Sequence, residues 1–303
     1  MYTQFFASKS NIKSMEQLLP GSEKHISCNA LLLFIFASQT LQTYSLTYNI
    51  SESCCIILTN KFKEKFCKAL QVNERSYKRN IKELTDAHMF HLINKKEHSY
   101  FVNPFLASKI GDIDALQYAR NFFPANNIFD DYICSRKPSK ATAEKYCKLF
   151  LTLDNVGKYS AFLNKEINFT ELVVFLILAS EARLCNTPNS PEECNKVDIN
   201  GKQIEKLASI LNIGVSTFYR ALDSLCQYHF LHKISGVSGE YLINPFIAAR
   251  GDHAKIEKFR EKILPEYFGT MADGDILLKS NLETMTVIAI YKPTGELIGH
   301  SAA

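Results

Sequence analysis

The sequence predicts a mainly α fold with small β-wings, built as two tandem winged helix-turn-helix domains. Three observations lead there. The stretch from Tyr100 to Asp112 returns between Tyr241 and Asp252 with one residue deleted, keeping its Tyr, Asn, Pro, Phe, Ala, Gly and Asp. Upstream, Leu70, Val72, Tyr77, Arg79, Leu84, His88, His91 and Ile93 answer to Leu211, Ile213, Phe218, Arg220, Leu225, His229, His232 and Ile234 at a constant offset of 141 residues. Each copy also carries two helix-periodic segments joined by a few residues and followed by two short β-prone runs. A repeat this long marks two copies of one domain-sized unit.

The second copy shows the plan most clearly. Residues 169–182 are apolar all round, so they read as a buried helix. Residues 186–195 are rich in Asn, Pro and Ser and read as a loop. Over 202–211, Ile204, Leu207, Ala208 and Leu211 recur at helical spacing. A short turn at 212–216 leads into a second helix, which is expected to be capped by Ser216, to run to about Tyr228 and to turn Phe218, Ala221, Leu222 and Leu225 inward. The glycine-containing turn between the two helices is a helix-turn-helix signature. The runs 230–234 and 240–243, separated by 235–239, form the wing. Asn244-Pro245 then fits a helix start, Asn as cap and Pro at the first position. A last amphipathic segment spans 253–264.

In the first copy the equivalent parts are a helix at 29–41, a helix pair at 60–70 and 74–87, a wing at 90–102 with its tip at 94–99, and a closing helix at 113–123. His88 and His229 fall where the second helices end, a place that calls for positive φ, where His is tolerated. His91 and His232 then begin the wing strands. The domain plan is 1–125, a linker at 126–165 with its hinge at 135–140 and a helix over 141–153, a second domain at 166–265, and a tail at 266–303. In the tail, 286–291, a turn at 292–295 and 296–299 read as a β-hairpin.

Composition narrows the class. At 303 residues the chain has room for two domains with separate cores, and its 46% apolar and 22% charged content is ordinary for a globular protein. The apolar runs 30–37 and 172–179 are too short to cross a bilayer, which takes about 20 residues. The first residues lack the pattern of a signal peptide. Nine cysteines, an odd number with none in C-x2-C spacing, support neither a zinc site nor a disulfide framework and suit a reducing cytoplasm. No third or fourth ligand accompanies His88 and His91, so no metal is expected. No phosphate-binding loop and no nicking-enzyme motif is present, so neither an enzyme nor a cofactor is expected. Tyr100, Phe101 and Phe105 read as core.

In a helix-turn-helix the second helix enters the major groove of duplex DNA. Its outward residues are Arg75, Ser76, Lys78, Arg79 and Lys82 in the first copy, and Ser216, Thr217, Tyr219, Arg220 and Asp223 in the second. Arg forks onto guanine, Ser and Thr are adaptable readers, and Lys pairs mostly with phosphate. Lys95 and Lys96 add charge at the first wing tip, and Lys233 lies on the second wing. Residues 75–96 hold six basic and two acidic side chains, a net of +4, against +1 for the equivalent 216–237. The first copy is therefore expected to supply more of the phosphate-directed affinity. One chain with two unlike readers fits an asymmetric site of two half-sites about one helical turn apart, which suits directly repeated elements better than a palindrome.

The segments 204–208, 216–222 and 241–252 resemble RepL-type plasmid replication proteins, whose winged-helix unit ends in an apolar-Asn-Pro stretch closed by Arg-Gly-Asp or Lys-Gly-Asp. The likeness spans about 80 residues of each half. The first copy departs from it in reading Lys-Ile-Gly-Asp, and the duplication is more similar to iteron-binding initiators with two winged helices in one chain. The resemblance implies a replication initiator that binds origin repeats in double-stranded DNA and recruits host replication proteins. The alternatives are a transcriptional regulator on an operator and a winged-helix protein–protein adaptor. A homodimer through the C-terminal hairpin is a further candidate assembly, and no membrane partner is expected.

Overall fold

The helices at Cys28–Ser38 and Phe169–Glu181 offer water almost no polar face, so the chain is arranged to bury them. From Ala30 to Ser38 and from Leu172 to Ser180 every residue is buried. The computed structural model describes residues 3–5, 9–41, 55–103, 106–108, 146–185, 194–234, 239–251 and 256, and strands at 276–281, 286–291 and 296–302. The result is a mixed fold of helices and small antiparallel sheets.

The first copy runs β1 (Thr3–Phe5), α1 (Lys9–Ser14), a 3-10 turn, α2 (Cys28–Ser38), β2 (Cys55–Ile57), α3 (Asn60–Ala69), α4 (Glu74–Asp86), β3 (Phe90–Asn94), β4 (Ser99–Val102) and β5 (Ala107–Ser108). The second runs β6 (Cys147–Leu149), a 3-10 turn, α5 (Ser160–Leu163), α6 (Phe169–Glu181), β7 (Lys196–Asp198), α7 (Gly201–Ile210), α8 (Val215–Gln227), β8 (Leu231–Lys233), β9 (Glu240–Ile243) and β10 (Ala248–Ala249). In the tail, β11 (Ile276–Asn281), β12 (Thr286–Tyr291) and β13 (Glu296–Ala302) form a separate antiparallel sheet. It contains the expected hairpin and one more strand.

Local chemistry accounts for most boundaries. Thr59 accepts from the Phe62 amide at 3.2 Å to start α3, and Asn73 accepts from the Ser76 amide at 2.8 Å to start α4. Reciprocal capping boxes open α6 (Asn168 with Glu171) and α7 (Asn200 with Gln203). The N-cap of α8 is Gly214, which provides no side-chain bond, so Ser216 sits inside the helix and is not its cap. Between the paired helices, Gln71 (φ 51°) and Asn212 (φ 54°) take the left-handed turn. His88 (φ 54°) and His229 (φ 59°) do the same at the ends of α4 and α8, where positive φ was expected.

Both hairpins form, and each gains a third strand that periodicity did not reveal. The orders are β2-β4-β3 and β7-β9-β8. Register is kept between copies: Ile56 faces Tyr100 as Val197 faces Tyr241, and Phe90 faces Val102 as Leu231 faces Ile243.

The Asn244-Pro245 step does not start a helix. After Asn244 the chain makes one turn over 245–247 and enters β10, with the Phe246 amide donating to Asn244 Oδ1 at 3.0 Å. The Asn side chains turn back: Asn103 Nδ2 donates to the His88 carbonyl at 3.0 Å and Asn244 Nδ2 to the His229 carbonyl at 2.8 Å. Each amide thus satisfies a carbonyl left open at a helix end, which explains a repeated Asn. The helix expected over 141–153 is also corrected, because β6 occupies Cys147–Leu149. In the expected linker, Leu149, Leu151, Val156, Tyr159, Ala161 and Phe162 are buried. The expected closing helix 113–123, hinge 135–140 and Phe105 lie outside the described residues, as does 253–264 apart from the buried, helical Ile256.

β1 and β6 join the copies. They occupy the centre of a four-stranded sheet of order β10-β6-β1-β5, so each copy's leading strand pairs with its own trailing strand and with its counterpart. Phe5 faces Ala107 as Leu149 faces Ala248, which makes Phe5 equivalent to Leu149 and Thr3 to Cys147. Across the centre, Thr3 faces Leu149, Gln4 faces Lys148 and Phe5 faces Cys147. That register is unchanged when the copies are exchanged, so an approximate two-fold axis passes through the Gln4–Lys148 pair. Lys65 Nζ with Asp154 at 2.8 Å and Asn212 Nδ2 with the Gly21 carbonyl at 3.1 Å are further contacts between the copies. The expectation of separate cores is corrected too, since one apolar cluster runs from Phe5 through α2 and α6 to Ala248.

Two substitutions test this packing. Asn80 is 0% exposed and its amide has no hydrogen-bond partner among the described residues, whereas the second copy has Ala221 there. Asn80→Ala is expected to raise stability by about 1 kcal/mol, since an unpaired buried amide is costly and Ala favours helix; the urea midpoint checks it. At Gly21 a Cβ would lie 1.7 Å from the Asn212 carbonyl oxygen. Gly21→Ala should therefore destabilise by about 1–3 kcal/mol through overpacking at the contact between copies, read as a lower melting temperature.

Candidate nucleic-acid interface

An α-helix packed by one face leaves the other to solvent, and α4 divides cleanly. Tyr77, Asn80 and Leu84 are buried, while Arg75, Lys78, Arg79 and Lys82 are exposed and Ser76 is half-buried. On α8, Phe218, Ala221, Leu222 and Leu225 are buried, as expected, with Ser216, Tyr219, Arg220 and Asp223 exposed and Thr217 half-buried. Lys95, Lys96 and Lys233 are exposed on the hairpins. The structure therefore gathers Arg75, Ser76, Lys78, Arg79, Lys82, Lys95 and Lys96 on α4 and its hairpin. It places Ser216, Thr217, Tyr219, Arg220 and Lys233 on α8 and the other hairpin.

Carboxylates divide the cations of the first copy into two groups. Lys78 Nζ lies 3.0 Å from Glu74 Oε1 and Lys82 Nζ lies 2.6 Å from Asp86 Oδ2, both at the i,i+4 spacing. Glu74 also holds Lys63 of α3 at 3.3 Å. Among the described residues Arg75, Arg79, Lys95 and Lys96 form no ion pair. Glu83 points elsewhere: it accepts from the Ser27 amide at 2.5 Å and the Ser27 hydroxyl at 2.8 Å, anchoring the start of α2. Glu74 and Glu97 flank the span counted from sequence, and including them reduces its net charge from +4 to +2. The contrast between copies thus rests on four unpaired cations against Arg220 and Lys233.

Arg220 is held by its own helix, its Nη2 donating to Thr217 Oγ1 at 3.1 Å. That bond sets the guanidinium toward the N-terminal half of α8, the part of a recognition helix that meets base edges. At the first hairpin tip, Asn94 Oδ1 accepts from the Lys96 amide at 3.0 Å, which orders the turn carrying both lysines. Sequence reasoning overlooked Lys63 and Glu74 as members of this surface. The Glu74–Lys78 spacing was a usable signal, but Lys63 arrives only through folding of α3 against α4.

The first three-stranded sheet also exposes apolar side chains: Ile57 of β2 at 56%, and Leu92 at 40% and Ile93 at 46% on β3. Their counterparts for Ile57 and Leu92 in the second copy are Asp198 and Lys233. Burial pushes the Cys28 and Cys147 thiols up to about 12, far from the range of reactive thiolates. No helix among the described residues is long and apolar enough to cross a membrane. No family model, curated protein or solved structure matches the chain.

Hydrogen bonds from Lys78 and Lys63 hold the Glu74 carboxyl below its ordinary 4.5. Because its folded value is depressed, the stabilisation from this cluster is present above pH 4.5 and is lost as pH falls through the lowered value. Carboxyl titration followed by NMR should find Glu74 below the free-peptide value in the wild type and moved back toward it in Lys78→Ala.

Proposed function

We propose that the two copies are winged helix-turn-helix units and that the chain is a sequence-specific double-stranded DNA-binding protein, acting as a plasmid-type replication initiator. The observation that carries DNA binding is the set of unpaired cations Arg75, Arg79, Lys95 and Lys96, exposed on the second helix of a helix pair and on the hairpin after it. Such cations release counterions from the duplex and supply affinity without regard to sequence. Arg220, fixed by Thr217, is the best placed to read a base in the second copy. The initiator assignment draws on the resemblance to RepL-type proteins and on the duplication. Ile57 of β2 with Leu92 and Ile93 of β3 give the first three-stranded sheet exposed apolar side chains suited to a host replication protein.

The approximate two-fold axis changes the expected layout of the DNA site. Copies related in this way meet their half-sites in opposite senses along the duplex, so the half-sites are inverted and not directly repeated. They still differ in sequence, because Arg75, Ser76, Lys78 and Arg79 stand opposite Ser216, Thr217, Tyr219 and Arg220. The inverted layout favours one second reading, a transcriptional regulator on a near-palindromic operator.

Binding is expected to weaken steeply with salt. Changing Lys78, Arg79 and Lys82 together to Ala should flatten the slope of log affinity against log salt by up to about three phosphate equivalents. Arg220→Ala should instead relax preference at one or two base pairs by about 1–3 kcal/mol. An unchanged slope in the triple variant would remove α4 from phosphate contact. Whether the gene with its flanking DNA sustains an otherwise non-replicating circle separates initiator from regulator.

A further inference from the structure

The crevice between α4 and the β3–β4 hairpin is built differently in the two copies. In the first it is a cavity of about 360 Å³ whose charged and titratable lining includes Lys63, Glu74, Lys78, Lys95 and His98, beside apolar walls that include Ile81 and Leu92. Glu74 already places an anion against it, its Oε1 lying 3.0 Å from Lys78 Nζ and 3.3 Å from Lys63 Nζ. In the second copy the positions of Lys63, Glu74, Lys78, Lys95 and His98 are Ile204, Val215, Tyr219, Gly236 and Gly239. The cations and the carboxylate that matches them are thus present together or absent together. A pair kept only to stabilise the helix would not need Lys63 from α3, nor Lys95 and His98 from the hairpin.

The cavity has room for about twelve waters at roughly 30 Å³ each, more than one carboxylate fills. A helix in a major groove has a sugar–phosphate strand on either side, and on the hairpin side of α4 that strand would meet this crevice. We infer that the crevice seats one backbone phosphate of duplex DNA, and that Glu74 occupies the lysines until that phosphate displaces it. The inference rests on the DNA-binding reading and adds Lys63 of α3 to the interface. Lysines suit the exchange, since three rotatable donors on a flexible stem can move from a carboxylate to a phosphate without a fixed fork geometry. Once displaced, the Glu74 carboxylate stands near a polyanion, so it acts as a brake on affinity.

The test measures binding of the full chain to a mixed-sequence duplex over a salt series, in the wild type, Lys63→Ala and Glu74→Gln. Lys63→Ala should flatten the log–log slope by about 0.9, the value of one phosphate contact on B-DNA. Glu74→Gln keeps the side chain's shape, removes the competing charge, and should bind about threefold more tightly, with a slope no flatter than the wild type. Unchanged affinity and slope in both variants, beside a flattened slope in the Lys78, Arg79 and Lys82 triple variant, would overturn the inference and leave DNA binding standing. No salt-dependent binding by the wild type would overturn both. A parallel arm titrates inorganic phosphate against the wild type and Lys63→Ala without DNA. Saturable phosphate binding lost in Lys63→Ala, with the DNA slope unchanged, would assign the crevice to a free anion and overturn the backbone-phosphate assignment.

Discussion

The rest of the structure depends on the antiparallel pairing of β1 with β6 about Gln4 and Lys148. A three-residue strand contributes little alone, and isolated strand pairs are marginal in water. What makes this pair effective is its place between the trailing strands β5 and β10 and beside two helices that have nowhere else to bury their surfaces. Thr3 Oγ1 donates to the Ser38 carbonyl at 2.9 Å at the end of α2. That bond ties strand to helix in the first copy.

That arrangement explains why the duplicated units diverged so unevenly. Asn80 against Ala221 apart, core positions such as Tyr77 and Phe218, Leu84 and Leu225, and Met89 and Phe230 are apolar in both copies. Positions facing out are under no such constraint. Even capping has been redistributed: Glu83 of α4 satisfies Ser27 at the start of α2, while at the equivalent place in the second copy Ser224 replaces Glu83 and Asn168 relies on its own Glu171. One copy has collected lysines, arginines and the carboxylates that moderate them. The other presents Thr217, Tyr219 and Arg220 with little surrounding charge. Under the proposed DNA-binding reading, this asymmetry divides phosphate affinity from base reading between the copies.

The helices α2, α3, α4, α6, α7 and α8, the inward faces of α4 and α8, both hairpins and the positive-φ histidines were legible in the sequence, because each rests on spacing of three, four or two residues or on one residue's tolerance. The strands β2, β7, β1, β6, β5 and β10 were not. Two or three residues carry no measurable periodicity, and these strands exist only because a partner distant in the chain supplies their hydrogen bonds. The Asn-Pro step misled for a related reason. Asn103 and Asn244 each donate from the side-chain amide to the carbonyl at the end of a preceding helix, and the Phe246 amide that Asn244 Oδ1 accepts lies in a turn and not in a helix. The cations of the interface were legible as residues, while their neutralisation by Glu74 and Asp86 and the arrival of Lys63 depended on tertiary packing. The shared core was hidden as well, since two buried helices in sequence look the same whether they lie in two cores or in one.

The central claim is that one chain presents two unlike readers, fixed by an approximate two-fold axis, to one stretch of duplex DNA. Selection of bound duplexes from a random library, followed by hydroxyl-radical footprinting and a count of chains per site, tests it most directly. The account predicts one chain per site and two protected patches about one helical turn, 10–10.5 base pairs, apart or a multiple of it, with inverted half-sites of different sequence. Recovery of no preferred sequence would contradict it, and so would a perfect palindrome protected by two chains.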